Sequence, residues 1–198
     1  MVGSGFLGDT IALLERTPRA LRELLSAMPD GWLDEPDIPN GWKPRDVVGH
    51  LISAEIANWI PRVTMVVEKG TREEFDGFDR FAHVERDARM SLDDLVQRFS
   101  ELREASLNRL RELVSGEADL DRRGRHPEFG EVTLRQLLSA WAVHDLDHLQ
   151  QILPSLAASR DQAVGPWKGY LGILLRRDTG RGMNPASADR RVIDQPGN

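Results

Sequence analysis

Residues 133–153 read TLRQLLSAWAVHDLDHLQQIL. Thr133 with Gln136 three positions on is a capping box: hydroxyl and amide side chains satisfy the free N–H groups of a first helical turn. Apolar residues then recur at helical spacing to Leu153, and Pro154 predicts the end of the helix. Inside the segment lie His144 and His148. Four residues apart, they stand about 40° apart around the helix, one turn above the other. Leu137, Ala140 and Gln151 fall within about 40° of His144, and Trp141 within about 60°, so the pair is expected to face inward.

Three more helical segments precede this one. Ile11, Leu14, Leu21, Leu24, Leu25 and Met28 form the stripe of a helix from Asp9 to Met28, with a kink or break at Pro18, near Thr17. Pro44 suits the first position of a second helix, which runs to Lys69 with Gly70 as its stop. Pro61 removes the bond to the Ala57 carbonyl and predicts a kink there. Ser91, with Asp94 three residues on, caps a third helix to Val114, striped by Leu92, Leu95, Phe99, Leu102, Ser106, Leu110 and Leu113. Residues 70–90 and 115–132 read as loops, the first with room for a helical turn. After Gly165-Pro166, the residues Trp167, Tyr170, Leu171 and Leu174 predict a short C-terminal helix. No run alternates long enough to predict a strand. The expected architecture is all-α, a four-helix bundle over residues 1–177 followed by a flexible tail over 178–198.

Composition narrows the chemistry. The 198 residues suit one domain with its own core. The 32 acidic residues outnumber the 26 basic ones, leaving a net charge of −6, which disfavours a nucleic-acid partner. There is no cysteine, so disulfides, thiolate metal sites and cysteine nucleophiles are excluded. No stretch reaches the roughly 18 consecutive apolar residues of a membrane span. The first sixteen residues lack the basic start and uninterrupted apolar run of a signal peptide, so a cytoplasmic protein is expected.

Any metal must therefore be held by nitrogen and oxygen. Counting from His50 on the second helix, Ala54, Ala57 and Pro61 fall within about 40° and Val47 within about 60°, so His50 also points inward, beside small residues. Three buried imidazoles left unpaired would cost on the order of 1–3 kcal/mol each. A shared cation satisfies them together, and three neutral nitrogens with an open position are a frequent catalytic layout. His50, His144 and His148 are the candidate metal ligands. Among the neighbours, Asp145 makes HDLDH a short-acid analogue of the HExxH of zinc proteases, as a general base or as a group that orients an imidazole or faces another helix. Gln151, on the same side, is a candidate to orient a ligand from behind or to contact the substrate. Asp147 and Glu55 are expected at the surface, His83 in a solvated loop, and His126 capping its loop or near the site mouth.

The stretches WKPRDVVGHL (42–51), GRHPEFGEVTL (124–134), HDLDHLQQI (144–152) and GPW (165–167) together resemble the DinB/YfiT-like superfamily over about residues 5–175. The resemblance implies an up-down-down-up four-helix bundle. It also implies one divalent ion, nickel or zinc, on His50, His144 and His148, and a homodimer. Relatives include thiol-dependent S-transferases and an isomerase; DNA binding is not implied. The leading expectation is a metal-dependent enzyme that activates a water or a small thiol for hydrolysis or S-transfer on a small-molecule substrate. The alternatives are a non-catalytic helical module in which the histidines bind a structural metal or only pack, and a zincin-like hydrolase using Asp145, which would require a sheet beside the fourth helix.

Overall fold

The computed structural model describes residues 5–29, 31–38 and 41–178. The tail expected over 178–198 therefore lies, but for Asp178, outside the described residues. The chain divides into two compact units, one of residues 1–27 and 48–148, the other of residues 28–47 and 149–198.

Proline placement governs the first two arms of the bundle. The first is two helices, α1 (Phe6–Leu14) and α2 (Arg16–Leu25), divided at Glu15. The second is α3 (Pro44–Ala57) and α4 (Trp59–Glu68), divided at Asn58. Pro18 and Pro61 each become the third residue of the new helix. A first-turn N–H has no partner within its helix, so a residue lacking it does no harm there. The break expected near Thr17 falls two residues earlier for this reason, and Pro61 ends α3 at the very residue whose carbonyl it cannot serve.

Residues 70–90 hold one short helix, α5 (His83–Arg86). The third arm, α6 (Leu92–Leu113), starts as expected, with the Ser91 hydroxyl accepting from the Asp94 amide at 3.1 Å. The segment 115–132 was expected to lack strands. It instead forms an antiparallel hairpin of β1 (Arg123–His126) and β2 (Gly130–Thr133), paired from Arg123 opposite Thr133 to His126 opposite Gly130. Both strands are four residues long, with half of their residues exposed and only Gly124 buried, so the sequence carries no alternation to reveal them. Gly124 lets β1 lie flat on the core, since a Cβ there would come within 2.7 Å of Phe75 and Val66.

The fourth arm is α7 (Leu134–Ala158). Its capping box forms in both directions: the Gln136 amide donates to Thr133 Oγ1 at 3.2 Å, and the Thr133 amide to Gln136 Oε1 at 2.8 Å. The helix does not stop at Leu153; it passes through Pro154. The carbonyl freed by Pro154 belongs to Gln150, an exposed residue, where water can satisfy it. A 3-10 turn (Gly165–Tyr170) and α8 (Gly172–Asp178) follow.

In the first unit, Leu14, Ala54, Trp59, Val63, Leu107, Leu110, Leu134, Leu138 and Trp141 form one buried cluster drawn from all four arms. In the second, Ile38, Ile152, Leu156 and Leu174 are buried, and the Arg160 guanidinium sits 4.0 Å over the Trp32 ring. No helix among the described residues is long and apolar enough to cross a membrane.

Candidate metal centre

The three histidines meet. His50 on α3 and His148 on α7 are buried, and His144 is partly exposed. Nε2 of His144 lies 3.2 Å from Nε2 of His50 and 3.1 Å from Nε2 of His148. One nitrogen from each ring falls within 4.8 Å of the others, and no fourth His, Asp or Glu joins this group among the described residues.

Protonation follows from the partners. His50 Nδ1 stands 3.2 Å from the Arg80 carbonyl. A carbonyl only accepts, so Nδ1 carries the proton and Nε2 presents a lone pair to the cluster. Burial, then the nearby His148, pushes the His50 pKa down to about 3. Burial, then His148 and His50, also holds His144 well below the ordinary imidazole range. Both rings are neutral at pH 7. Neutral imidazoles crowded nitrogen to nitrogen cannot all be satisfied by sharing protons, and His144 Nδ1 has no hydrogen-bond partner among the described residues either. A divalent cation is the group that three converging lone pairs suit.

Aromatic rings wall the cluster. Trp59 stands edge-on to His144 at 5.1 Å and stacks on Trp141 at 5.7 Å; Phe78 meets His50 edge-on at 5.6 Å.

Behind the cluster is a buried ionic network that sequence reasoning missed. Arg103 of α6 donates to both oxygens of Asp145, at 2.6 and 3.0 Å, and twice to Glu55 Oε1, at 3.0 and 2.8 Å. It also donates to the Leu14 carbonyl at 2.9 Å, and Trp141 Nε1 donates to Glu55 Oε1 at 3.2 Å. Burial would lower the Arg103 pKa, but the two carboxylates raise it above its ordinary range. Glu55 is raised because burial outweighs the pull of Arg103. The surface position expected for Glu55 is thus corrected: α3 is buried all round from Val47 to Glu55. Asp145 faces a neighbouring helix and is engaged on both oxygens, so it is not a free general base. A hairpin does precede α7, yet without a free Asp145 it does not restore the zincin-like scheme.

His83 is the second correction. It is buried, not solvated, with Nδ1 3.1 Å from the same Arg80 carbonyl and its ring 6.2 Å from that of His50. His126 caps its own loop: Nδ1 accepts from the Glu128 and Phe129 amides at 3.1 and 3.4 Å, and the ring stacks on Phe129. Asp147 is partly exposed, as is Gln151.

Fold and site together define a helical bundle with a converging three-histidine face at its core. A family model described as the DinB superfamily matches residues 13–152, and the chain belongs to that superfamily. A protein of Bacillus mycoides (strain KBAB4) named "Putative metal-dependent hydrolase" is 25% identical over 139 residues, covering 70% of this chain and 79% of that protein. The structure of YfiT from Bacillus subtilis, described as "a probable metal-dependent hydrolase with an unusual four-helix bundle topology", is similar with a TM-score of 0.65 and 24% identity. That match covers 77% of this chain and 86% of YfiT. The four-helix-bundle fold expected from the sequence is thereby shown.

Proposed function

We propose that this protein is a divalent-metal-dependent enzyme, with hydrolysis of a small molecule as its reaction and His50, His144 and His148 as its ligands. The observation that carries the proposal is the convergence of three Nε2 atoms, one of them fixed as a lone pair by the Arg80 carbonyl. The names given to the Bacillus mycoides relative and to YfiT support the hydrolase reading. Nitrogen-only donors favour zinc or nickel over calcium or magnesium. When bound, such an ion supplies Lewis acidity and acidifies a water or a thiol toward neutrality. The protein's own contribution is to hold the imidazoles neutral and to wall the site with Trp59 and Phe78. With three protein donors and no fourth in the group, the arrangement favours an open catalytic position over a closed structural one. The chain has no cysteine, so in the S-transfer variant of this reading the thiol is a co-substrate.

The test is metal content by mass spectrometry of untagged protein beside His148→Ala, followed by hydrolysis assays on small esters, amides and lactones with zinc or nickel restored. About one ion per chain in the wild type and a marked loss in the variant is expected. Equal metal in both proteins would reject the ligand assignment. Stoichiometric metal without turnover, but with conjugation of a small thiol, would move the reaction to S-transfer.

A further inference from the structure

Gly49 sits inside α3, immediately before His50, where alanine would ordinarily be favoured by roughly 1 kcal/mol. A Cβ at this position would lie 2.9 Å from Asp87 Oδ2 and 3.0 and 3.1 Å from Cβ and Cδ2 of His83. Glycine therefore lets the segment around α5 lie directly on the helix backbone. Arg86 fastens it there. Its guanidinium donates to both carboxylate oxygens of Asp87, to Ser53 Oγ at 3.0 Å and to the Gly49 carbonyl at 3.0 Å. Ser53 donates to that same carbonyl at 3.2 Å. The fastened segment brings three things to His50: the Phe78 ring, the buried His83 ring, and the Arg80 carbonyl that accepts from Nδ1 of both histidines.

We infer that Gly49, His83 and Arg86 are positioning residues for the metal centre: together they dock residues 78–87 on α3, so that the Arg80 carbonyl fixes the tautomer and ring orientation of His50. The Arg86 guanidinium donates to Asp87, Ser53 and Gly49, so it acts on His50 through the segment it anchors and through the α3 backbone beside His50. An outer partner that holds a ligand's second nitrogen raises its basicity and sets its aim, and losing one typically weakens metal binding by about 10–100-fold. The inference rests on the metal reading above for its effect on affinity, but the tautomer is a property of the metal-free protein.

Two measurements test it on the full chain. The first is zinc affinity by competition with a chromogenic chelator, for wild type, Arg86→Ala, Gly49→Ala and the control Arg123→Ala, whose pair with Glu131 is exposed. The second is nitrogen NMR of the imidazole rings in metal-free protein, which reports which nitrogen of His50 carries the proton. The Arg86 side chain is itself partly exposed, so its loss is not expected to unfold the chain. Arg86→Ala and Gly49→Ala should each bind zinc about tenfold or more weakly, with Arg123→Ala unchanged. In both variants the His50 ring should become a mixture of tautomers. Wild-type zinc affinity with an unchanged His50 tautomer overturns the inference, and so does a loss of thermal stability alone with affinity intact. If wild type binds no zinc, the ligand assignment fails, while the tautomer measurement still decides whether the segment positions His50.

Discussion

Replacing Arg103 by methionine is the sharpest test of the buried network. Methionine keeps much of the length and apolar volume but deletes five hydrogen bonds: two to Glu55, two to Asp145 and one to the Leu14 carbonyl. It leaves two carboxylates buried without their cation. Removing one partner of a buried ionic group costs about 3–5 kcal/mol, because the remaining charge keeps its desolvation penalty. For a chain of this length each kcal/mol lowers Tm by about 2–4 °C, so a fall of roughly 6–20 °C is expected. The pH dependence distinguishes this mechanism from simple loss of packing. Without Arg103, burial holds the Glu55 carboxyl still further above the unfolded value near 4. The folded variant then binds more protons than the unfolded chain above about pH 4, so its stability falls as pH rises through that window. The penalty relative to wild type should therefore be smaller at about pH 4.5 than at about pH 7.5. Urea unfolding of chelator-treated protein at the two pH values measures both. Adding Glu55→Gln and Asp145→Asn to the same variant should recover most of the loss. A penalty under about 1 kcal/mol at neutral pH, or one identical at both pH values, refutes the reasoning.

Three further outcomes follow from the site and its helices. His50 is held near pKa 3, below its unfolded value of about 6.5, so the unfolded chain binds the extra proton between these values. The metal-free protein should lose up to about 1.4 kcal/mol per pH unit from this group as pH falls below about 6.5, and His50→Phe should flatten that part of a urea-midpoint profile. Thr133→Ala removes the cap of α7 and should cost about 1 kcal/mol, read as a Tm lower by about 2–4 °C with helix content unchanged by circular dichroism. Zinc at about a thousand times its dissociation constant should raise stability by about 4 kcal/mol, and chelation should reverse the gain in calorimetry, but not in His148→Ala.

The four arms, the caps of α6 and α7 and the inward aim of His50 and His148 were legible because each rests on a local rule: helical period, capping residue, proline geometry. The hairpin was not, since strands of four residues leave no period to count. His83 was not either. Its position depends on Gly49 having no side chain, and nothing beside His83 in the sequence announces that. The ionic network was legible in principle. Val96, Phe99, Arg103, Ser106 and Leu110 recur at intervals of three and four residues, and all are buried on α6. Leu138, Trp141, Asp145, His148 and Ile152 do the same on α7. A charge at the centre of such a stripe must find an opposite charge on a facing helix, and two helices here each offer one. Centring the inward face of α7 on His144 hid this, and it also placed Ala140 inside, where the structure has it exposed.

That difference in rotation bears on function. Were Asp145 turned to solvent, His144 would sit at the middle of the buried face and both imidazoles of α7 would be sealed in the core. Arg103 instead draws Asp145 to the centre. A turn of about 100° then separates His144 from the axis of burial, while His148, on the same side but only about 60° away, stays buried. His144 is left at the flank, partly exposed, with Nε2 still within 3.2 Å of both other rings. A network that contributes no ligand thus sets which of the two α7 imidazoles is the less buried. A buried ion pair is a weak source of stability against a well-packed apolar core. What it supplies instead is orientation, because the apolar residues that would replace it carry no direction for α7 to follow.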